Sequence, residues 1–389
     1  MPFEVPSSWV WCKLHDIIQI TNGRSQKYVE NVNGKYPIYG SGGIIGKAVD
    51  YLCEAGSTII GRKGTINNPL FVEERFWNID TAFGMKPMYA ISDLYFFYFC
   101  QYFDFSKLDK STAVPSLTQS AIGEVFIPIP PINEQKRITD GISYWLGFID
   151  TLESNLINLQ LAIKQTKSKI LNLAIHGKLV PQDPTDEPAA ELLKRINPKA
   201  EITCDNGHYQ KLPKGWCLCD LSSLCKIKGG KRIPRGRTFS KERTPHIYIR
   251  VSDMKNNTII TTDLKYIDDD VYQTIKNYTI SSSDLYLTIA GTVGHVGIVP
   301  KQFDGMNLTE NAAKLTGIIC DKKYLLYSLL SSTAQEHFKS RFHQVAQPKL
   351  SIETASSTMI YLPPLKEQHR IVAKIEEIFA QLYAIEASL

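Results

Sequence analysis

The segment IPIPPINEQKRI at residues 127–138 decides the organisation of this 389-residue chain, because the chain contains it twice. It returns as IYLPPLKEQHRI at residues 360–371, 233 positions later. Similarity at a fixed spacing over long stretches is typical of a structural unit that has been duplicated. The chain is therefore predicted to consist of two copies of one unit.

A second repeated segment marks the beginning of each copy. VPSSWVWCKL at residues 5–14 returns as LPKGWCLCDL at residues 212–221, at an offset of 207. Because the offset grows from 207 to 233 between the two anchors, the second copy has gained 26 residues in its interior. The ends are similar and the middles diverge, which predicts a common scaffold that carries two different recognition surfaces.

Two shorter matches lie between the anchors. VPSL at 114–117 matches QPKL at 347–350 at an offset of 233, and Gly64-Thr65 matches Gly291-Thr292 at 227. Within each copy, short β-branched and aromatic runs alternate with Gly-rich turns, a pattern typical of strands. We expect an α+β protein with two mixed α/β domains.

Each proline pair of the first repeated segment is followed by apolar residues at alternating spacings of 4 and 3, with Thr166 taking one place. A period of 3.5 residues is what a helix needs to pack along another helix. The first helix would be about 65 Å long at 1.5 Å per residue. A core helix of a large bundle has similar residues, but the unbroken seam favours a coiled-coil spacer. The seam consists of Ile138, Ile142, Trp145, Ile149, Leu152, Leu156, Leu159, Ile163, Ile170, Leu173, Ile371, Ile375, Ile378, Leu382 and Ile385.

These observations predict a sequence of five parts. The first domain spans residues 1–132 and a spacer helix follows at 133–178. A connector rich in Pro, Asp and Asn at its ends spans 179–211. The second domain spans 212–365 and a shorter spacer helix ends the chain at 366–389.

Composition excludes several classes of protein. Hydrophobic residues make up 43% of the chain, but no apolar run approaches the ~20 residues of a membrane helix. The start MPFEVPSSWVW is unlike a signal peptide, so we expect a cytoplasmic protein. Cys217, Cys219 and Cys225 lack a matching second pair of ligands, so we expect no metal site.

Known enzyme motifs are also missing. SGGIIGKA at 41–48 falls short of a phosphate-binding loop at its first and last positions, and Ala48 cannot ligate magnesium. NNPLF at 67–71 lacks the second proline of a base-amino methyltransferase motif. We therefore expect no catalytic centre in this chain.

Charge is unevenly distributed along the chain. The stretch from Lys226 to Arg250 has nine basic residues and one acid, Glu242. Such a stretch is either a solvated loop or a surface that follows a phosphate backbone. Residues 1–132 have 11 basic and 12 acidic residues. This first domain must place its basic residues on one face or rely on partner subunits for phosphate binding.

The duplicated plan, the IPxPPxxEQxRI boundary and the heptads resemble the specificity subunits of Type I restriction-modification systems. The segment ILNLAIHGKLVPQDPTDEPAAELLKRI at 170–196 is similar to the central conserved region of that family, and the entry motifs at 5–14 and 212–221 are similar to the start of its target-recognition domains. The resemblance covers essentially the whole chain. The chain differs from that family in one respect. At the offset of 233, Leu389 corresponds to Leu156, where the first helix still continues, so the second helix is the shorter one.

The resemblance implies two target-recognition domains, related by a pseudo-two-fold axis and held apart by antiparallel helices. Each domain would read half of a bipartite site in double-stranded DNA. Two methyltransferase subunits would dock on the conserved helices and supply S-adenosylmethionine chemistry, and a motor-nuclease subunit would use ATP and magnesium. Two alternatives stay open: a recognition subunit of another methylation-only or defence system, and a coiled-coil scaffold that binds no DNA.

Candidate DNA-contacting residues are basic or polar side chains in segments punctuated by Gly or Pro. Lys and Arg reach phosphates, while Arg, Asn, Gln, Ser and Thr read base edges. In the first domain they are Asn22, Arg24, Lys27, Ser41, Arg62, Lys63, Thr65, Ser116 and Thr118. In the second domain they are Lys228, Lys231, Arg232, Arg235, Arg237, Arg243, Thr292, His295, Gln344 and Lys349.

Overall fold

The computed structural model describes residues 3–89, 91–111, 114–203, 212–340 and 349–389. The chain divides into two compact units, Met1–Ser154 and Asn155–Leu389, called unit 1 and unit 2 below. Within the described residues, no helix is both long enough and apolar enough to cross a membrane.

The described residues of unit 1 form short strands and three short α-helices, together with the first half of a long helix. The strands are β1 (Val10–Lys13), β2 (Ile18–Asn22), β3 (Tyr36–Gly40), β4 (Gly43–Ala48), β5 (Ser57–Gly61), β6 (Leu70–Val72), β7 (Trp77–Asn78), β8 (Ala82–Pro87) and β9 (Phe126–Ile129). The helices are α1 (Leu14–Ile17), α2 (Asp93–Tyr102), α3 (Gln119–Gly123) and the long α4 (Ile132–Ile175).

Unit 2 contains the second half of α4 and a longer series of elements. Its strands are β10 (Ile202–Thr203), β11 (Cys217–Asp220), β12 (Lys226–Gly229), β13 (Ile247–Ile249), β14 (Met254–Lys255), β15 (Thr258–Ile259), β16 (Lys265–Tyr266), β17 (Thr279–Ile280), β18 (Leu285–Thr288), β19 (Val296–Ile298), β20 (Met306–Leu308), β21 (Ala312–Thr316) and β22 (Met359–Leu362). Its helices are α5 (Ala189–Ile196), α6 (Leu221–Leu224), α7 (Asp269–Ile275), α8 (Lys322–Leu330), α9 (Ser332–Lys339), α10 (Ile352–Ser356) and α11 (Leu365–Ala387).

The two repeated segments of each copy pair with each other as antiparallel strands. In unit 1, β1 pairs with β9 so that Val10 lies opposite Ile129. In unit 2, β11 pairs with β22 so that Cys217 lies opposite Leu362. Offsets of 207 and 233 convert the first pair into the second. The sequence repeat is therefore also a repeat of hydrogen-bond register.

The sheets confirm the duplication and the α+β class. The order β2-β8-β5-β6 in unit 1 corresponds to β12-β21-β18-β19 in unit 2. Each unit also has a parallel strand pair, with Ile38 opposite Trp77 in one and Tyr248 opposite Asn307 in the other. The two copies thus share one topology, as the anchors predicted.

The extra residues of unit 2 lie mainly in one place. Ile38 of β3 and Tyr248 of β13 are equivalent at an offset of 210, whereas Thr58 of β5 and Leu285 of β18 are equivalent at 227. Most of the insertion therefore falls between β13 and β18, where the structure has the hairpin β14–β15 and the helix α7. The insertion adds elements to the scaffold and does not change its strand order.

A buried glutamine holds the start of the long helix in each unit. Gln135 and Gln368 are each 1% exposed. Their side-chain carbonyl oxygens accept the backbone N–H groups of Ser92 and Asp321, both at 2.8 Å. Their amide groups donate to the carbonyl of the first proline of the proline pair, at 2.9 Å in both units. This explains the Gln of the repeated EQ dipeptide, since buried polar backbone groups need partners.

The spacer helices of unit 2 pack antiparallel along their apolar faces. Ile163 and Ile170 of α4 are 3% and 7% exposed, and Ile170 shares a core cluster with residues of α11. Lys167 donates to Glu386 at 2.7 Å and lies 3.9 Å from the ring centre of Tyr383. The predicted helix is present, and its C-terminal half forms the expected helix pair.

The heptad did not predict every contact of this pair. Ile385 was expected in the seam but is 43% exposed, whereas Leu171 and Phe379, which lie outside the seam, are buried. Phe379 also contacts Tyr327 of α8 edge-on. Because α11 packs on α4 and on the body of unit 2, its buried stripe is wider than a two-residue heptad seam.

The N-terminal half of α4 has a different environment. Trp145, Ile149 and Leu152 are 61%, 47% and 52% exposed. Tyr144 and Phe148 beside them are exposed as well, and both contact Trp145 edge-on. A group of adjacent exposed apolar side chains of this kind indicates an interaction surface.

Trp216 and part of the connector are held against the start of α11 by polar contacts. Trp216 donates from its indole nitrogen to Glu367 at 3.0 Å, and Gln182 donates to the same carboxylate at 3.4 Å. Arg370 pairs with the buried Asp186 at 2.8 Å. The equivalent indole nitrogen in unit 1, that of Trp9, is buried without a hydrogen-bond partner among the described residues.

We predict that Gln368→Ala destabilises unit 2 and Gln135→Ala destabilises unit 1, each by about 1–3 kcal/mol, because each change leaves buried backbone groups without partners. Urea unfolding followed by hydrogen exchange in each unit measures both effects. Lys136→Ala, at an exposed neighbouring position, is the matched control. Equal stability of Gln135→Ala and Lys136→Ala would show that the hydrogen bonds of Gln135 do not stabilise unit 1.

Burial raises the pKa of Glu367 above its ordinary value, although the hydrogen bonds from Trp216 and Gln182 act to lower that pKa. The folded state therefore holds this proton more tightly than the unfolded state, and stability declines as pH rises from 4.5 through the raised pKa. We predict a smaller decline in Glu367→Gln. The difference in unfolding free energy between about pH 4 and about pH 7 tests this. The exposed Glu353→Gln is the control, and a decline in Glu367→Gln equal to that of the unaltered chain would refute the assignment.

Candidate nucleic-acid interface

Two loops that carry candidate residues of unit 1 lie side by side. Lys63 and Ser116 form an isolated β-bridge. The backbone N–H of Leu117 donates to the carbonyl of Arg62 at 2.9 Å, and that of Gly64 donates to Pro115 at 3.0 Å. The segments 62–65 and 115–118, separated by some fifty residues in sequence, therefore form one surface.

Polar side chains at the edge of this surface have structural partners. Asn22 donates to Gln119 at 3.3 Å, at the start of α3. The Thr118 hydroxyl accepts the N–H of Ala121 at 3.2 Å and caps α3. Ser41 lies in the turn between β3 and β4, next to Gly61 at the end of β5. Thr118 thus has a clear role as a helix cap, which its sequence position alone did not indicate.

Arg62 is oriented by its own unit. Its guanidinium donates to the carbonyl of Asp80 at 3.4 Å and lies 6.0 Å from the ring centre of Phe83. Lys63 and Thr65 beside it are exposed. Lys27 is exposed in a separate turn, and none of the contacts of the described residues joins it to this surface.

Arg24 and Lys231 occupy equivalent turns in the two units. Each follows a glycine that lies directly against backbone, since a Cβ on Gly23 would be 1.8 Å from the carbonyl oxygen of Ile79, and Gly230 has the same environment. The N–H groups of Arg24 and Lys231 each donate to a strand carbonyl at 2.9 Å. A side chain at either glycine would push the turn away from the sheet, so glycine is required there.

The basic stretch of unit 2 has fewer free cations than its sequence suggests. Arg232 pairs with Glu310 at 2.6 Å, and Arg237 forms an ion pair with Asp270. Arg235 and Arg243 are exposed and make no ion pair with any described residue. The paired arginines would have to leave their carboxylates before they bind phosphate.

Glu310 competes with phosphate for Arg232, and its negative charge strengthens this competition. Partial burial acts to raise its pKa, but hydrogen bonds from Arg232 and Tyr248 outweigh burial and the pKa is lowered. Lys231, which directly precedes Arg232, lies 5.6 Å from the ring centre of Tyr278. Lys228 is exposed on β12. These two lysines are better placed than Arg232 to meet a phosphate backbone.

The turn between β18 and β19 carries Thr292 and His295, which are both exposed. Ala290 forms a β-bridge with Lys349, the counterpart of the Lys63–Ser116 bridge in unit 1. The match of Gly64-Thr65 with Gly291-Thr292 is therefore correct. Gln344 lies outside the described residues.

A metal or thiol site is not evident in the described part of the chain. No three His, Cys, Asp or Glu side chains there are grouped so as to hold a metal ion. Cys219 and Cys225 are buried, and burial raises the pKa of the Cys225 thiol to about 12. A thiol with such a pKa is a poor nucleophile and a poor metal ligand near neutral pH.

Sequence reasoning missed three exposed residues at the tip of the β14–β15 hairpin: Lys255, Asn256 and Asn257. The hairpin borders the turn with His295. The available signals were an Asn-Asn pair between two short apolar runs, typical of a tight hairpin, and the position of the insertion relative to the first copy.

Comparisons with known proteins agree with this duplicated architecture. The family model of the Type I restriction modification DNA specificity domain matches residues 6–161 and again residues 213–389. The Type I restriction enzyme EcoBI specificity subunit of Escherichia coli is 23% identical over 412 residues, which cover 98% of this chain and 82% of the relative.

Two solved structures have a similar fold. The HsdS subunit from Thermoanaerobacter tengcongensis aligns with a TM-score of 0.54 at 16% identity, over 100% of this chain and 93% of that one. A chain from a structure on complex assembly and conformational transition of the type I R-M system aligns with a TM-score of 0.64 at 16% identity, over 100% and 94%. At this identity, the likeness shows a shared fold.

We predict that Arg235→Ala weakens binding to duplex DNA more than Arg232→Ala, because Arg232 is held by Glu310. Loss of one phosphate contact reduces the slope of log affinity against log salt by about 0.9. Titrations between about 50 and about 200 mM salt measure this slope. Arg195→Ala, an exposed arginine of the connector paired with Glu187, is the control. Identical slopes for Arg235→Ala and Arg195→Ala would remove Arg235 from the interface.

Proposed function

The chain belongs to the family of the Type I restriction modification DNA specificity domain, and we propose that it selects the DNA sites on which a multisubunit methyltransferase and endonuclease acts. Each unit reads one half of a bipartite target in double-stranded DNA. The chain itself catalyses no reaction and acts in the cytoplasm, where its DNA target is found.

One observation carries this proposal: two scaffolds with the same strand register carry different loops. The registers of the strand pairs β1–β9 and β11–β22 correspond residue by residue at offsets of 207 and 233. The candidate residues nevertheless differ at equivalent positions, with Ser116 in one unit and Lys349 in the other. A rigid scaffold with variable loops is how many proteins vary what they recognise.

The exposed face of α4 supports docking of a partner protein. Trp145, Tyr144 and Phe148 form an aromatic group on this face, and aromatic residues are enriched in protein interfaces. We propose that two methyltransferase subunits bind the long helices α4 and α11. They hold S-adenosylmethionine, and a motor-nuclease subunit holds ATP and magnesium.

Sequencing of methylated bases in cells tests the proposal. Cells that express the chain with its methyltransferase should methylate one bipartite sequence, and cells with the methyltransferase alone should not. Exchange of residues 212–365 for those of a relative should change one half of the sequence and keep the other. Methylation that is independent of this chain would refute the proposal.

We predict that one extra heptad inserted after Leu159 changes the gap between the half-sites and leaves their sequences unchanged. Leu159 is exposed and precedes Ile163, which is buried. Seven residues keep the helix face and add about 10 Å, up to about 3 base pairs of duplex. Selection from a library of half-sites at varied spacing measures the gap. Asn158→Ala, which keeps the helix length, is the control, and an unchanged gap would exclude a ruler role for α4.

A further inference from the structure

The hairpin β14–β15 has a tight two-residue turn, and it has no counterpart among the described residues of unit 1. Met254 pairs with Ile259, and Lys255 pairs with Thr258. The two loop residues have positive φ angles, 52° at Asn256 and 58° at Asn257. Positive φ at both central positions defines a turn of type I′, for which Asn is one of the few suitable residues.

The base of this hairpin is fixed to the body of unit 2. Met254 and Ile259 are 1% and 3% exposed in a core cluster. The N–H of Ile298 donates to the carbonyl of Asn257 at 2.9 Å, and the Tyr286 hydroxyl donates to the carbonyl of Thr258 at 3.0 Å. A hairpin this short is unstable alone, so these contacts hold its tip in place.

The side chains at the tip are free while its backbone is fixed. Lys255, Asn256 and Asn257 are exposed, and their side chains make no hydrogen bond or ion pair with the described residues. They border a cleft of about 470 Å³ that His295 and Gln335 also line. Gln335 donates to the carbonyl of Gly294 at 2.9 Å and thereby holds the turn next to the hairpin.

We propose that the Asn256-Asn257 tip reads an adenine in the half-site of unit 2, with Lys255 on a flanking phosphate. A two-stranded ribbon fits the major groove, and an asparagine amide donates to N7 and accepts from N6 of adenine. The fixed backbone reduces the entropy lost when the tip binds. This inference rests on the proposed function.

The corresponding place in unit 1 has a different surface. There β3 passes directly into β4 through the turn at Ser41 and Gly42, without the inserted hairpin. The two units would therefore read their half-sites with different elements. An asymmetric target follows from this difference, although the scaffolds are the same.

The test is selection of duplexes from a randomised library by the full chain in complex with its methyltransferase. The double variant Asn256→Gly and Asn257→Gly removes both amides and keeps a backbone that tolerates positive φ. We expect the half-site of unit 1 to be retained and the preference for adenine in the other half-site to fall by about 5- to 100-fold. Asn33→Gly in unit 1 is the matched control and should retain both half-sites.

The outcomes separate this inference from the proposed function. If the unaltered complex enriches a bipartite site and the double variant enriches the same bases equally, the hairpin does not read sequence. If the double variant binds all sequences more weakly with unchanged preference, the tip only positions the protein, which also overturns the inference. If the unaltered complex enriches no site, the proposed function itself fails.

Discussion

Each unit is closed by the pairing of the strands that carry its two repeated segments, β1 with β9 and β11 with β22, and a buried glutamine holds the long helix to that closure. Gln135 and Gln368 satisfy one backbone N–H at a helix start and one proline carbonyl. The long helix of each copy therefore begins at a fixed point. The second proline of each pair has no backbone N–H to donate. The side-chain amide of the glutamine instead donates to the carbonyl of the first proline.

This closure leaves the middle of each copy free to change. The insertion between β13 and β18 adds a hairpin and a helix, yet the order β12-β21-β18-β19 is the same as in unit 1. A surface built on such loops can diverge without loss of the core. The ion pair of Arg237 shows a further consequence, since the inserted helix α7 supplies Asp270 and so alters which cations are available.

The helix α4 combines two environments in one continuous element of 44 residues. Its C-terminal half is covered by α11 within unit 2, with Lys167 held by Glu386 and Tyr383. Its N-terminal half has an exposed aromatic face around Trp145. The apolar face of α4, which repeats every 3.5 residues, thus packs inside unit 2 in the C-terminal half and is exposed for a partner in the N-terminal half.

The sequence by itself determined the duplication, the positions of both long helices, the strand-rich α+β units and the equivalence of Gly64 with Gly291. These follow from local patterns and from the comparison of the chain with itself. Only the tertiary structure decided that Arg232 is held by Glu310 and that the tip at Asn256 is exposed beside His295. The physical reason is that Arg232 and Glu310, or the hairpin and the turn at His295, are far apart along the chain. Their proximity is a property of the folded sheets, and no spacing in the sequence specifies it.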